Sequence, residues 1–204
     1  MSGPPQVLVL ACGALARELG DITRLNNLDN VTVECLPGIL HNRPERIPDA
    51  VRQRLEQARN NYDRILVGYA DCGTGGRLAE VCREAGVEML EGAHCYQFFT
   101  GQKAFDALHG DDPTAFYLTD YLTRHFNRLV LDGLGITEHP ELLEQYFGNY
   151  TKVVYLAQSN DPELLAKARA AAAQLQLAFV HQFTGFGELT PAVVRVATGQ
   201  EQPA

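Results

Sequence analysis

Three cysteines, Cys12, Cys72 and Cys95, share one kind of neighbourhood. Val7-Leu-Val-Leu-Ala11 reads as a strand that ends in Cys12-Gly13. Arg64-Ile-Leu-Val-Gly68 reads as a strand running into Gly68-Tyr-Ala-Asp-Cys-Gly-Thr-Gly-Gly76. Val87-Glu-Met-Leu leads to His94-Cys95. Each cysteine is followed by helical sequence, and the positive end of a helix dipole stabilises a thiolate. In an open parallel sheet such strand-to-helix turns lie along one edge, where ligands bind, so cysteines far apart in sequence can converge there. Three thiolates meeting in a crevice suit a soft or borderline metal. Three protein ligands with one position open is the pattern of catalytic zinc. A [4Fe-4S] cluster with one iron open to substrate asks for the same thiolates. The expectation is a metal bound by the thiolates of Cys12, Cys72 and Cys95, with zinc ranked ahead of the cluster. The plain alternative is three small residues at tight turns. A redox pair between two of them ranks last, because it needs no third thiol. Cys35, on an alternating strand, and Cys82, on an apolar helical stripe, are expected to pack as small core hydrophobes.

Asp71 and His94 are the catalytic candidates, as acid or base groups beside Cys72 and Cys95. Asp71 can equally cap the helix that follows, and His94, next to an inward-facing Cys95, tends to point away. Gly73, Gly75 and Gly76 let backbone N–H groups approach an anion or a sulfur, and Arg43, in the loop after the second strand, can pair with a carboxylate or phosphate. These four are the cofactor-binding candidates. The glycines form neither a dinucleotide fingerprint nor a P-loop, which needs its lysine. Arg17 and Glu18 read as a solvated face of the first helix.

The elements that must position these groups alternate. After Val7–Ala11 come a short helix over 14–19, a strand over 31–35 closed by Pro37-Gly38, and a helix opened by Pro48-Asp49 with Val51, Leu55 and Ala58 at helical spacing. The Gly68–Gly76 turn leads into a helix with Leu78, Val81, Cys82 and Ala85 on one stripe, closed by Gly86. Further on, 111–113 reads as a turn, 115–118 as a short strand or extended lid, 121–131 as helix, and His139-Pro140 as the start of another. Thr151–Ala157 is a clean strand, Asp161-Pro162 caps and opens an alanine-rich helix to Leu175, 177–181 is a last strand, and Thr190-Pro191 starts a terminal helix. This predicts an α/β fold: an open, mostly parallel sheet with helices on both faces, Rossmann-like, with a helix-rich insertion around 101–150. The chain, 1–204, reads as a single α/β domain.

The 204 residues suffice for one core, and 46% hydrophobic with 21% charged residues is a globular composition. The net charge of -8 argues against a general nucleic-acid binder, which needs basic residues for phosphate. No apolar run approaches the ~20 residues of a membrane span, and the N-terminus lacks a hydrophobic signal region. The expected setting is the cytoplasm, where five cysteines are free, metal-bound or catalytic rather than a disulfide frame. A small-molecule substrate is expected, with no nucleic acid and no membrane. Assembly as a homo-oligomer stays open.

The phrases Ala11-Cys-Gly-Ala-Leu-Ala-Arg-Glu18, Leu40-His-Asn-Arg-Pro-Glu45, Gly68-Tyr-Ala-Asp-Cys-Gly-Thr-Gly-Gly76, His94-Cys-Tyr-Gln-Phe-Phe99, and Phe147-Gly-Asn-Tyr150 with Val154-Tyr-Leu-Ala-Gln158 resemble an uncharacterised family of bacteria and methanogens, domain of unknown function 1638. The resemblance covers nearly the whole chain and includes the three strand-end cysteines. It implies a neighbourhood of corrinoid-dependent methyltransferases, hence one-carbon metabolism and such an enzyme as partner, and no activity of its own. Two functions follow as expectations. One is a metal-thiolate enzyme acting on a small thiol or methyl donor. The other is a non-enzymatic carrier or sensor of metal or corrinoid for a partner methyltransferase.

Overall fold

The structure is a computed structural model, and it describes residues 4–111 and 113–200, without the side chains of 108–111. Part of the turn expected at 111–113 lies outside the described residues. The chain divides into two compact units, one of residues 1–98 with 186–204, the other of residues 99–185. The α/β architecture with parallel strands is as expected, but the strands belong to two sheets.

The first unit is built from β1 (Val7–Cys12), α1 (Ala16–Leu25), β2 (Val31–Leu36), α2 (Ile47–Ala58), β3 (Arg64–Gly68), α3 (Arg77–Ala85) and the two-residue β4 (Glu88–Met89). The division between units falls within α4 (Tyr96–Thr100), and a terminal helix, Leu189–Thr198, returns to the first unit. The sheet order is β2-β1-β3-β4 with every pairing parallel. The chain steps from β1 outward to β2 and then across to β3, so the two turns leaving β1 and β3 flank the point where the strand order reverses. β1 is buried along its whole length, which is why its sequence is a continuous apolar run instead of an alternation. Its alternate residues Leu8, Leu10 and Cys12 join Val51 and Leu55 of α2 and Leu78, Val81 and Cys82 of α3 in one core cluster. The terminal helix packs against α1, β1 and β3. Gly68 pairs with Ala11, and a Cβ placed on it would stand 2.8 Å from the Ala11 Cβ, so only glycine lets β3 close on β1 at this level.

The second unit holds α5 (Gln102–Asp111), β5 (Ala115–Leu118), α6 (Asp120–Arg124), α7 (Leu142–Phe147), β6 (Lys152–Ala157), α8 (Pro162–Gln174) and β7 (Ala178–Phe183). Its sheet runs β5-β6-β7, again parallel throughout. The segment 115–118 is therefore a sheet strand. The helix expected over 121–131 is α6 followed by a π-helical turn, Asn127–Leu131. Asp161 caps α8 as read, accepting hydrogen bonds from the Glu163 and Leu164 N–H groups with Pro162 at the first helical position. No helix among the described residues is long and apolar enough to cross a membrane.

Candidate functional site

Parallel pairing of β1, β3 and β4 brings their carboxyl ends, and with them Cys12, Cys72 and Cys95, to one edge of the first sheet. Cys12 is the last residue of β1 and is buried with 3% exposure. Its sulfur accepts the Ala14 N–H at 3.3 Å and stands 3.3 Å from the His41 Nδ1. The Cys72 and Ala93 main chains meet through the Cys72 N–H and the Ala93 carbonyl at 2.9 Å, so the segment leading to Cys95 lies against the Cys72 turn. The Cys95 backbone hydrogen-bonds the Cys72 sulfur. The thiols also sense one another's charge, Cys12 that of Cys72, and Cys95 that of both.

Burial dominates the titration of all three. It pushes the Cys12 thiol up to about 12, against the Ala14 N–H, with the Cys72 charge adding to the rise. Burial raises Cys72, opposed by hydrogen bonds from the Ala70 and Cys95 backbone. Burial raises Cys95, and the charges of Cys72 and Cys12 raise it further. Left to themselves these are neutral thiols, and a cation at the edge would reverse that preference. His41 is shifted down by burial, which a backbone hydrogen bond at Gly38 only partly offsets, so its imidazole is neutral near pH 7.

Thiols and a neutral imidazole are donor types that soft metals prefer. Among the described residues, however, no group of three His, Cys, Asp or Glu side chains is placed to hold a metal ion.

The other candidates fall in different places. Asp71 is bound into its own turn: Oδ1 accepts the Gly76 N–H at 2.7 Å and the Thr74 hydroxyl at 2.9 Å, and Oδ2 accepts the Gly75 N–H at 3.1 Å. Burial works to raise its pKa, but these hydrogen bonds and one at Gly73 outweigh it and hold the carboxyl below its ordinary value. Asp71 thus organises the turn before α3 and does not cap the helix, whose N-cap residue is Gly76, without a side-chain cap bond. Gly73, Gly75 and Gly76, at φ of 83°, 63° and 83°, turn their N–H groups to this carboxylate, and an internal anion thus occupies the donors that a bound phosphate would use. Cys72 itself sits at φ 49°, left-handed backbone that a side chain seldom adopts. His94 is exposed, with its backbone N–H on the Gln97 side-chain oxygen. Arg43 is exposed between two short 3-10 turns, Gly38–Asn42 and Pro44–Arg46.

Two structural surprises concern the residues set aside. Cys82 is in the apolar core as expected, but Cys35 is exposed, because β2 is an edge strand with neither face fully covered. Glu18, expected on a solvated face, is buried, while Arg17 is exposed. His41, two positions before Arg43 in the loop after the second strand, is a residue of that loop to which the sequence assigned no role. Its signal was present in its place after the second strand, but nothing in the sequence paired it with Cys12. A separate cleft of about 710 Å³ lies at the opposite, amino-terminal end of β3, lined by residues such as Arg52, Arg64, Glu84 and Arg195. It contains none of the three cysteines.

The family model described as "Protein of unknown function (DUF1638)" matches residues 35–193. The chain belongs to this family. The DUF1638 match takes in His41, Cys72 and Cys95 and leaves Cys12 before its first residue. Neither the curated proteins nor the solved structures give a match to the chain.

Proposed function

We propose that Cys12, Cys72 and Cys95 are the thiolate ligands of a metal site at the carboxyl edge of the first sheet, and that the site acts on a small thiol or methyl donor in one-carbon metabolism. One observation carries the reading. The buried Cys12 thiol meets a neutral imidazole, His41 Nδ1 at 3.3 Å, at the edge to which Cys72 and Cys95 also come. The order β2-β1-β3-β4 supports a Rossmann-like reading of this unit, with the site where such folds bind ligands. Zinc ranks ahead of a [4Fe-4S] cluster because three protein ligands with an open position is its catalytic pattern. Bound there, zinc would supply Lewis acidity that keeps a substrate thiolate available at neutral pH. The chain's own part is to hold the sulfurs and to receive the proton of Cys12, for which the His41 Nδ1 is the nearest base. A small-molecule substrate, a cytoplasmic setting and a corrinoid methyltransferase as partner belong to the same proposal.

The carrier or sensor reading is favoured by a different observation: the Asp71 carboxylate is engaged in its own turn and His94 is exposed. A carrier needs the thiols and no acid or base. Metal analysis of protein purified without oxygen tests the site. The expected result is about one metal per chain in the wild type and near none in Cys72→Ser. Iron with a brown colour would replace zinc by the cluster, and a metal-free wild type would end the proposal. The enzyme reading further expects methyl transfer to a small thiol by the metal-loaded protein. Full metal retention without transfer supports the carrier.

A further inference from the structure

Tyr69 lies just beyond β3, 1% exposed, in the same core cluster as Cys12. Its hydroxyl faces the cysteine edge, where the Cys12 sulfur is its polar neighbour, close enough for each to act on the other but not in good hydrogen-bond geometry. A sulfur is a weak acceptor, so a buried hydroxyl facing one still has capacity to donate to a better acceptor on a ligand. The His41 ring stacks on the Tyr69 ring, centroids 6.5 Å apart and 19° from parallel. From His41 the chain continues along a groove of about 560 Å³ lined by Ile39, Leu40, Asn42, Arg43 and Arg46. Both arginines are exposed, and neither has a carboxylate in ion-pair contact among the described residues. Pro44, between them, lies against the glycine turn that follows Cys72, so the groove opens beside the cysteine edge. In a chain of net charge -8, two neighbouring arginines without carboxylate partners form a local cationic patch.

We propose that the ligand of the cysteine edge is a small molecule bearing an anionic oxygen group, a carboxylate or a phosphate. Arg43 and Arg46 grip the anionic group and the Tyr69 hydroxyl donates to an acceptor on the same ligand. Guanidinium groups match the planar oxygen pairs of such anions and bind them by charge-assisted hydrogen bonds. The inference rests on the reading of this edge as a ligand site and adds the chemical class of what it takes. It asks nothing of the glycine turn, whose donors are engaged by Asp71.

The test is calorimetric titration with 3-mercaptopropionate, its neutral analogue 3-mercapto-1-propanol, and methyl phosphate, with metal content measured on the same samples. The wild type is expected to prefer 3-mercaptopropionate over the alcohol by about tenfold or more, the scale of one charge-assisted contact. Arg43→Gln/Arg46→Gln is expected to lose that preference with metal content unchanged, and Arg43→Lys/Arg46→Lys to retain part of it. Tyr69→Phe is expected to weaken both thiols, because it removes the donor alone. Tighter binding of methyl phosphate than of 3-mercaptopropionate would assign the anion as phosphate. Equal affinities for the acid and the alcohol with no methyl phosphate binding, or a preference that survives Arg43→Gln/Arg46→Gln, would overturn the proposal. A metal-free wild type that still prefers the anion would remove the metal reading and leave this one standing. A metal-loaded wild type without the preference would do the reverse.

Discussion

The carboxyl edges of the two sheets solve the same problem in opposite ways. In the second unit the edge is closed on itself by Asp120, which is 1% exposed. Its Oδ1 accepts the Tyr155 hydroxyl at 2.7 Å and the Gln158 N–H at 3.1 Å, while Oδ2 accepts the Ser159 hydroxyl at 2.5 Å and lies 3.5 Å from the Arg124 guanidinium. Gln158 completes the ring, accepting the Asp120 N–H on its side-chain oxygen and donating to the Leu156 carbonyl. In the first unit the edge carries neutral thiols, a neutral imidazole and a hydroxyl with only the weakly accepting Cys12 sulfur beside it. A satisfied buried network rigidifies, whereas donors left open mark where something else must bind. The comparison teaches that position on the sheet edge does not define a site. What distinguishes the two edges is whether their polar groups already have partners.

The comparison breaks most readily at Asp120. Asp120→Ala would leave the Tyr155 hydroxyl, the Gln158 N–H, Ser159 and Arg124 without their acceptor in the interior. The expected loss is about 3–5 kcal/mol, as for removing one member of a buried charged network. Urea denaturation measures it, and a loss under about 1 kcal/mol would mean that the network is not what holds this edge. The corresponding edge of the first unit should respond to a ligand more than to a truncation. Zinc at a hundred times its dissociation constant should stabilise the protein by about 2.7 kcal/mol, and this gain should vanish in Cys72→Ser. A wild type whose melting temperature ignores zinc would place the two edges in one class.

Asp71 lies between these extremes, because it is a closed network inside an open edge. Asp71→Ala removes the acceptor of the Gly75 and Gly76 N–H groups and of the Thr74 hydroxyl. The expected cost is about 1–3 kcal/mol, that of turn donors left without their acceptor. If the carboxylate serves the turn alone, metal affinity should change little once the protein is folded. A loss of metal as complete as in Cys72→Ser would restore Asp71 to the site.

Much of this was legible in the sequence, for local reasons. The continuous apolar run of β1 announced burial on both faces, and Asp161-Pro162 announced the start of α8, because caps and strand patterns are written in adjacent residues. The alternation of strands with helices also predicted the parallel pairing that joins β1, β2, β3 and β4. What stayed hidden depends on partners distant in the chain. His41 meets Cys12 across 29 positions, and Asp120 meets Gln158 across 38. Periodicity names the face of a strand but not its place in the sheet, so Cys35 read as core although β2 is an edge. The division into two sheets was hidden for the same reason, since each strand pattern is silent about its neighbours.

The smallest expected effect concerns His41, and it asks whether the open edge is sensitive to protons as the closed one is not. Burial lowers the His41 pKa in the folded protein below its ordinary value. The unfolded chain therefore binds the proton more readily, and protonation favours unfolding. The stability that the neutral ring contributes is fully present above the unfolded pKa of about 6.5 and is lost as pH falls from there through the folded value. Melting temperatures measured from pH 7.5 to 5.5 should decline more steeply in the wild type than in His41→Gln, which keeps a polar side chain but does not titrate. Tyr155, stacked on His181 and bound to Asp120, contains no group that titrates in this window, so Tyr155→Phe should leave the slope unchanged while lowering stability overall. Parallel slopes in the wild type and His41→Gln would show that the imidazole is as well solvated as in the unfolded chain. The neutral Cys12–His41 pair would then lose its basis, and the open edge its base.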